Sequence, residues 1–284
     1  MNILITGATG FLGKYLCLNL QKRNNILALS RYRRNYKKNL SFIKSSLNVS
    51  DKNLSKIKKF SPELVIHLAW QDIPDFSKKT SMYNFYQQKN FFKKILKLKS
   101  IKRIIVSGSC FEYCNKNGIC NDNEVFNKII SKNYFVVAKY RLYKFLSKAK
   151  IPLVWLRIFY VYGAGQRNQS LIPYLIFNLK KNSKILLKNP FEKKDFIHVE
   201  DVVNAISKIL NCNCSGIINV GNGKSYSPMF IAKFLKKKLN SKSKIQFNDK
   251  KKSYLVANIS KIKKLGWQPH YSIKEGLNKI LNNS

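Results

Sequence analysis

The stretch Ile3-Leu4-Ile5-Thr6-Gly7-Ala8-Thr9-Gly10-Phe11-Leu12-Gly13 decides the fold of this chain. A short apolar run leads into three glycines spaced Gly-x-x-Gly-x-x-Gly, and the residues that follow have helical spacing. Gly7 permits a tight turn, Gly10 lets a ligand approach the backbone, and Gly13 lets the helix pack closely on the strand. A pyrophosphate fits the N–H groups at the start of such a helix. We therefore predict a strand–turn–helix unit that binds a dinucleotide through Gly7, Thr9, Gly10, Phe11, Leu12 and Gly13.

Short apolar runs alternate with longer amphipathic segments over roughly the first 160 residues. The predicted strands are Asn2–Thr6, Ile26–Ser30, Leu64–Leu68, Arg103–Ser107 and Leu153–Ile158. The predicted helices between them are Phe11–Arg23, Asp51–Phe60, Thr80–Lys99 and Asn133–Lys150. Apolar runs of this length are typical of buried parallel strands. Their alternation with helices predicts an α/β fold of the Rossmann type, a doubly wound parallel sheet with helices on both faces.

The alternation becomes irregular after Gly163, which predicts a second, smaller lobe. The elements predicted there are a helix at Leu171–Lys180, a strand at Ile185–Leu187, a helix at Val199–Leu210, a strand at Ile217–Val220 and a helix at Met229–Leu239. We therefore expect a dinucleotide-binding domain over 1–163 and a smaller lobe over 164–284, with some strands and helices exchanged between the two.

The chain of 284 residues is strongly basic, with 54 Lys+Arg against 13 Asp+Glu and a net charge of +41. Such a charge is typical of proteins that bind nucleic acid or another polyanion. Only eight of the cations are arginine, the side chain that contacts guanine and phosphate through paired hydrogen bonds. The lysines are scattered along the whole chain, as an AT-rich coding sequence would produce. We predict a solvated basic surface and no specific nucleic-acid partner, with a functional polyanion-binding surface as the alternative.

The lengths of the apolar runs and the positions of the cysteines indicate the compartment of the protein and whether it binds a metal. No run approaches the roughly 18 apolar residues that a membrane span requires, and none resembles a signal peptide. The six cysteines form no disulfide framework, and the set Cys110, Cys114 and Cys120 has no histidine nearby to complete a zinc site. We expect reduced thiols, no metal, no membrane insertion and a cytoplasmic protein.

The end of the second predicted strand indicates which dinucleotide binds. An acidic residue at this place binds the ribose 2′-hydroxyl of NAD. The sequence instead reads Ala28-Leu29-Ser30-Arg31, with Arg33 and Arg34 following, and no carboxylate occurs from 1 to 49. A hydroxyl beside a guanidinium suits the 2′-phosphate of NADP. We predict NADP bound through Ser30 and Arg31, with NAD as the alternative, and note that surface arginines are common in a basic protein.

Six further segments carry a family resemblance that runs nearly from end to end. They are His67-Leu68-Ala69-Trp70, Ser107-Gly108-Ser109-Cys110-Phe111-Glu112-Tyr113, Arg157-Ile158-Phe159-Tyr160-Val161-Tyr162-Gly163, Lys194-Asp195-Phe196-Ile197-His198-Val199-Glu200-Asp201-Val202, and the pair Leu265-Gly266-Trp267-Gln268-Pro269 with Glu275-Gly276-Leu277. With the glycine turn, they make the chain resemble the extended short-chain dehydrogenase/reductases, the NAD-dependent epimerase/dehydratase family. The resemblance implies a nucleotide-sugar substrate, a substrate-binding second lobe, a homodimer as one option, and dinucleotide contacts from Leu68, Ala69, Trp70 and Lys139.

Within that family, Trp70, the Ser-Cys-Phe-Glu-Tyr segment and Tyr160-Val161-Tyr162-Gly163-Ala164-Gly165-Gln166 most resemble reductases of 4-keto-6-deoxy nucleotide sugars. That branch makes activated 6-deoxyhexoses for surface polysaccharides. An epimerase and a catalytically decayed dinucleotide-binding protein are the alternatives.

The catalytic set that the resemblance implies is a serine or threonine, a tyrosine and a lysine, the last two spaced Tyr-x-x-x-Lys. The serine is Ser109 and the lysine is Lys139, but Phe135 stands at the tyrosine position. At 100° per residue, Phe135 lies about 40° around the helix from Lys139, and Tyr134 about 140°. Three interpretations stay open: Tyr134 reaches the site through an irregular helix start, another group or water donates the proton, or the chain is a decayed enzyme. The predicted catalytic residues are Ser109, Tyr134 and Lys139.

Acidic and imidazole side chains near these motifs are expected to be structural. Cys110 and Phe111 follow Ser109 where a dehydratase of this family carries acids, which favours reduction or epimerisation over loss of water. Glu112 would share the face of Cys110 if the segment continued as a strand. We expect His67 to make a structural hydrogen bond, and Asp195 and His198 to brace the second lobe.

Overall fold

The computed structural model describes residues 1–32, 40–114, 116–124, 133–248 and 251–282. The chain forms two compact units. The first consists of Met1–Cys114, Val125–Arg157 and Ile209–Ile218, and the second of Asn115–Glu124, Ile158–Lys208 and Asn219–Ser284. The change of unit therefore falls before Ile158 rather than at 163, because Tyr160–Tyr162 is a strand that pairs with Phe196–His198 of the second unit.

The described residues contain the following elements in chain order. The strands are β1 Asn2–Thr6, β2 Asn25–Ser30, β3 Leu40–Lys44, β4 Leu64–His67, β5 Arg103–Ser107, β6 Gly118–Cys120, β7 Leu153–Ile158, β8 Tyr160–Tyr162, β9 Ile185–Leu187, β10 Glu192–Lys194, β11 Phe196–His198, β12 Gly216–Val220, β13 Ile245–Phe247 and β14 Ser253–Ala257. The helices are α1 Phe11–Leu20, α2 Asp51–Phe60, α3 Lys78–Ile95, α4 Tyr134–Leu146, α5 Leu171–Lys180, α6 Val199–Leu210, α7 Pro228–Lys238, α8 Ser260–Lys264 and α9 Ile273–Asn282, with a 3-10 helix at Cys110–Tyr113.

The first unit is built on a sheet with the strand order β12-β7-β5-β4-β1-β2-β3. The pairs from β7 to β3 are parallel, and Leu4 of β1 lies opposite Leu27 on one side and Val65 on the other. The strand order reverses at β1, which has β2 and β4 as neighbours. In open α/β sheets, ligands bind outside the carboxyl ends of the strands at such a reversal. The predicted Rossmann-type α/β fold is confirmed.

The predicted elements of this unit differ from the observed ones mainly at their ends. Strands β1, β5 and β7 have the predicted bounds, while α1 ends at Leu20 and α3 spans 78–95 because Ser77 caps it by accepting the N–H of Thr80. Strand β3 was not predicted. Only Ile43 in it is buried, so it lacks the apolar run of a central strand.

The second unit contains three small sheets, β10-β14-β6, β11-β8 and β13-β9. Among their strands only β9 was predicted, with the observed bounds; the others carry no apolar run long enough to be recognised. Helices α5 and α6 also have the predicted bounds. Asp195 is buried and accepts backbone N–H groups of Asn222, Gly223 and Ala257 at 2.6 to 3.1 Å. This confirms that Asp195 braces the second unit.

His198 is also buried in the second unit. Its ring lies 5.4 Å from that of Tyr162 and 4.5 Å from that of Tyr271, between centroids. Burial lowers its pKa to about 4, so the ring is neutral at physiological pH. The structural role predicted for His198 is confirmed.

The expectation of six reduced thiols is wrong for one pair, since Cys212 and Cys214 form a disulfide. Their Cα atoms lie 5.4 Å apart, within the range that a disulfide spans. The turn after α6 brings the two residues together, and spacing alone did not indicate it. In the described ranges, no helix is both long and apolar enough to cross a membrane.

Candidate active site

The turn between β1 and α1 is shaped by contacts that only glycine permits. Gly7 has a φ of +69°, and a Cβ there would lie 2.8 Å from the backbone nitrogen of Ala69. A Cβ on Gly13 would collide with the carbonyl oxygen of Gly7. Gly10 caps α1 without a side-chain hydrogen bond, and no acidic residue lies in the first helical turn. The N–H groups of this turn are therefore arranged to donate hydrogen bonds to an anion such as a pyrophosphate.

A cleft of about 300 Å³ lies at this turn in the first unit. Of the residues predicted to bind the dinucleotide, those that line it are Gly7, Thr9, Gly10, Ser30, Arg31, Leu68, Ala69 and Trp70. Phe11, Leu12, Gly13 and Lys139 do not line it. The first three belong to the first turn of α1, and Lys139 is buried in α4. The lining residues that sequence reasoning missed are Leu29, Tyr32, Ser45, Ser46, Leu47, Gln71, Tyr83, Asn84 and Gln87. Ser45, Ser46 and Leu47 follow β3, the strand that the pattern did not reveal.

The part of the cleft beside β2 holds hydroxyls and a cation. Thr9 Oγ1 and Ser30 Oγ lie 2.5 Å apart and share a hydrogen bond. Arg31 is exposed, and its guanidinium lies 5.6 Å from the centre of the Tyr32 ring. None of the described residues that line the cleft is a carboxylate. Arg33 and Arg34 lie outside the described residues.

Ser109 follows β5 and caps the 3-10 helix. Its Oγ accepts the N–H of Phe111 at 3.2 Å, and its own N–H donates to Glu112 Oε1 at 2.8 Å. This reciprocal capping box holds Ser109, half-buried, directly beyond the carboxyl end of the strand.

Glu112 supports this turn from inside the core. Its carboxylate accepts Trp155 Nε1 at 3.0 and 3.1 Å and forms an ion pair with Arg157 Nε at 3.0 Å. Both charged side chains are fully buried. The strand alternation assumed for Glu112 is wrong, because the segment is a 3-10 helix and turns the side chain inward. The ion pair was invisible in the sequence because its two partners lie 45 residues apart.

Lys139 is the buried cation of the site, with only 3% of its surface exposed. Its Nζ donates to the carbonyl oxygen of Ser107 at 2.7 Å, two residues before Ser109, and lies 4.5 Å from the centre of the Trp70 ring. Burial lowers the pKa of Lys139 to about 8, although the negative charge of Glu112 acts in the opposite direction.

Phe135 occupies the helical position one turn before Lys139 and is 5% exposed. Together with Trp70, Phe76 and Phe111 it forms what we call the aromatic cluster; the centre of its ring lies 4.7, 4.9 and 6.1 Å from those of the other three. Its ring centre lies 5.7 Å from Lys139 Nζ.

Tyr134 points elsewhere. It is the first residue of α4, is 39% exposed, and has Lys78 Nζ 6.0 Å from its ring. Asn133 caps the helix by accepting the N–H of Phe135, so α4 starts regularly. The structure thus brings Lys139 and Phe135 together and leaves Tyr134 outside their cluster.

His67 is a structural histidine, as predicted. Its Nδ1 lies 2.8 Å from Thr6 Oγ1 and its Nε2 lies 3.0 Å from Gln88 Oε1, all buried. Burial lowers its pKa to about 3, so the ring carries no charge at neutral pH.

The sequence of this chain is similar to those of known proteins. Residues 3–221 match the sequence model of the NAD dependent epimerase/dehydratase family. The chain belongs to this family. The family assignment made from the glycine turn and the six further segments is confirmed.

Two relatives in the NAD dependent epimerase/dehydratase family match over nearly their whole length. The dTDP-4-dehydro-6-deoxyglucose reductase of Escherichia coli is 27% identical, covering 98% of this chain and 96% of the relative. The CDP-abequose synthase of Salmonella typhimurium is also 27% identical, covering 98% and 97%. Among solved structures, the UDP-glucuronic acid 4-epimerase of Bacillus cereus in complex with UDP-glucuronic acid and NAD superposes with a TM-score of 0.87 at 21% identity, covering 99% and 98%. That likeness shows the shared fold.

Proposed function

We propose that this member of the family reduces the 4-keto group of a nucleotide-activated 6-deoxyhexose with a reduced nicotinamide dinucleotide. The observation that carries the proposal is Lys139, a buried cation held at the carboxyl end of β5 two residues from Ser109. The relatives named above support this substrate class, since one reduces a dTDP-activated keto-deoxysugar and the other makes CDP-abequose.

The dinucleotide fits the first unit. The turn at Gly7 and Gly10 would hold its pyrophosphate, and the lining residues of the cleft would hold its adenosine half. Trp70, whose buried indole N–H has no hydrogen-bond partner within the described ranges, offers a donor beside it. Arg31 with Ser30 and Thr9 favours the 2′-phosphate of NADP over NAD. When bound, the nicotinamide ring supplies the hydride for the reduction.

The chain's own residues orient the keto group and keep water out. The hydroxyl of Ser109 accepts the N–H of Phe111 and retains its proton for the substrate carbonyl. Within the aromatic cluster, Trp70 and Phe135 place apolar surface against Lys139, which strengthens the charge interactions there. In this arrangement Ser109 polarises the carbonyl and Lys139 stabilises the oxygen that becomes negative.

The test is the absorbance of NADPH in the presence of dTDP- and CDP-linked 4-keto-6-deoxyglucose. We expect oxidation of NADPH with at least one of them and the corresponding 6-deoxyhexose by mass spectrometry. The Ser109→Ala variant should lose activity about a hundredfold, while the exposed Ser147→Ala on the same unit serves as the control. Interconversion of epimers without net NADPH oxidation would make the chain an epimerase instead.

A second candidate function is favoured by Phe135. A phenyl ring cannot donate a proton, so a chain without a substitute donor would bind a dinucleotide and a nucleotide sugar without turning them over. Calorimetric binding of both ligands combined with no turnover would support this candidate.

We place the protein in the cytoplasm, where nucleotide sugars are made.

A further inference from the structure

We propose that Lys139 itself donates the proton that the reduction requires, an inference that rests on the proposed function. The position from which a phenol would act is filled by Phe135, which packs in the aromatic cluster. Tyr134 is exposed and lies beside Lys78. The hydroxyl of Ser109 can pass a proton on but is far too weak an acid to supply one at neutral pH. Of these side chains, Lys139 is the one that carries an acidic proton into the site.

The surroundings of Lys139 leave it able to give a proton away. Its Nζ makes one hydrogen bond, to Ser107, within the described part of the chain, and two N–H groups stay available. Its partners on the other sides are the rings of Trp70 and Phe135. An ammonium held by aromatic faces rather than by a carboxylate is less strongly retained.

The charged groups that face Lys139 from the neighbouring elements are already engaged. Glu112, from the 3-10 helix, is bonded to Trp155, Arg157 and the N–H of Ser109. Its charge attracts the ammonium, and burial outweighs this attraction, so that the pKa of Lys139 is about 8. His67, from β4, stays neutral because its pKa is lowered to about 3. A proton donor of this strength is half-ionised close to the working pH, where general-acid catalysis is most effective.

The carbonyl carbon gains a hydride from the reduced nicotinamide dinucleotide, and the π electron pair of the C=O bond moves to oxygen. That oxygen takes a proton from Lys139 Nζ, giving the secondary alcohol and the oxidised dinucleotide. Lys139 is left as a neutral amine and recovers a proton from water before the next turnover.

The first readout uses the protein without ligands. Because Nζ lies over the Trp70 ring, loss of its charge should change Trp70 fluorescence. We expect a transition with a midpoint near 8 that disappears in Lys139→Met and in Trp70→Phe. Lys144→Met, which removes an exposed lysine of the same helix, is the matched control and should keep the transition. A transition that persists in Lys139→Met overturns the proposal.

The second readout is the pH profile of the reductase. The kcat should fall above the fluorescence midpoint, and Lys139→Arg should lower kcat about a hundredfold or more with a smaller change in KM, because arginine keeps the charge but does not release its proton. A kcat that Lys139→Arg leaves within a factor of two, or that shows no fall near 8, overturns the proposal while the proposed function stands. A native chain that oxidises no NADPH overturns both.

Discussion

At the scale of single residues, the site depends on which face of α4 each side chain occupies. Phe135 and Lys139 share the buried face, and Tyr134 lies 39% exposed. The regular cap at Asn133 removes the irregular helix start that would have carried Tyr134 to Lys139. Tyr134 is therefore not placed to act as the acid beside Lys139.

Phe135→Tyr should raise the reductase activity, because it adds a phenol on the face of Lys139, where a well-placed donor is worth a factor of about 10² to 10⁴. The measurement is the rate of NADPH oxidation in Phe135→Tyr and Tyr134→Phe beside the native chain. An inert Phe135→Tyr combined with an inactive Tyr134→Phe would show that Tyr134 is the donor and contradict the placement described above.

Cofactor choice is the second prediction at this scale. Since Arg31 lines the cleft and the described part of that lining holds no carboxylate, we expect tighter binding of NADPH than of NADH. Arg31→Glu should reverse the preference, because the carboxylate repels the 2′-phosphate of NADPH and accepts a hydrogen bond from the ribose 2′-hydroxyl of NADH. Fluorescence titration of both dinucleotides measures it, with the distant, exposed Lys102→Glu as control. Equal or tighter binding of NADH by the native chain would rule the preference out.

At the scale of elements, the turn that presents Ser109 depends on a buried ion pair. Glu112 holds the 3-10 helix to β7 through Trp155 and Arg157, and receives the N–H of Ser109. Removing its charge leaves Arg157 buried with no counter-charge in this pair, which is far more unfavourable than breaking an exposed pair.

Glu112→Gln should therefore lower the free energy of unfolding by about 3 to 5 kcal/mol. Glu63→Gln breaks the exposed pair with Lys102, whose charged atoms lie 3.7 Å apart, and should change it by less than about 1 kcal/mol. Urea unfolding of the two variants measures both. Similar small losses in the two variants would show that Glu112 does not anchor the turn.

At the scale of the whole molecule, the chain combines a net charge of +41 with membership of the NAD dependent epimerase/dehydratase family. We interpret this charge as a solvated lysine-rich surface. A homodimer stays a prediction, which analytical sedimentation tests.

Oligonucleotide binding should consequently be weak and should fall steeply between about 50 and 200 mM salt, as nonspecific binding through released counterions does. Fluorescence anisotropy with two unrelated duplexes measures it. A complex that distinguishes the two duplexes and survives physiological salt would assign the charge a specific partner.

Local patterns in the sequence determined the glycine turn, the central strands, most helices and the basic character of the segment before residue 50. Each depends on neighbours within a few residues: φ freedom at Gly7, apolar runs in β1, and the lack of acids before residue 50. The sequence also shows that Phe135 stands where the family's tyrosine is expected, because that position lies one helical turn before Lys139.

Only the tertiary structure decided where Tyr134 points, that Arg157 pairs with the charge of Glu112, and that Cys212 pairs with Cys214. Strand β3, and with it the far wall of the cleft, likewise appeared only in the folded chain. The physical reason is that burial, ion pairing and strand pairing join residues far apart in sequence, whereas the Cys212–Cys214 pair depends on the turn that the chain makes after α6. The pKa of Lys139 is the clearest case, since packing by Trp70 and Phe135 and the distance to Glu112 set it together.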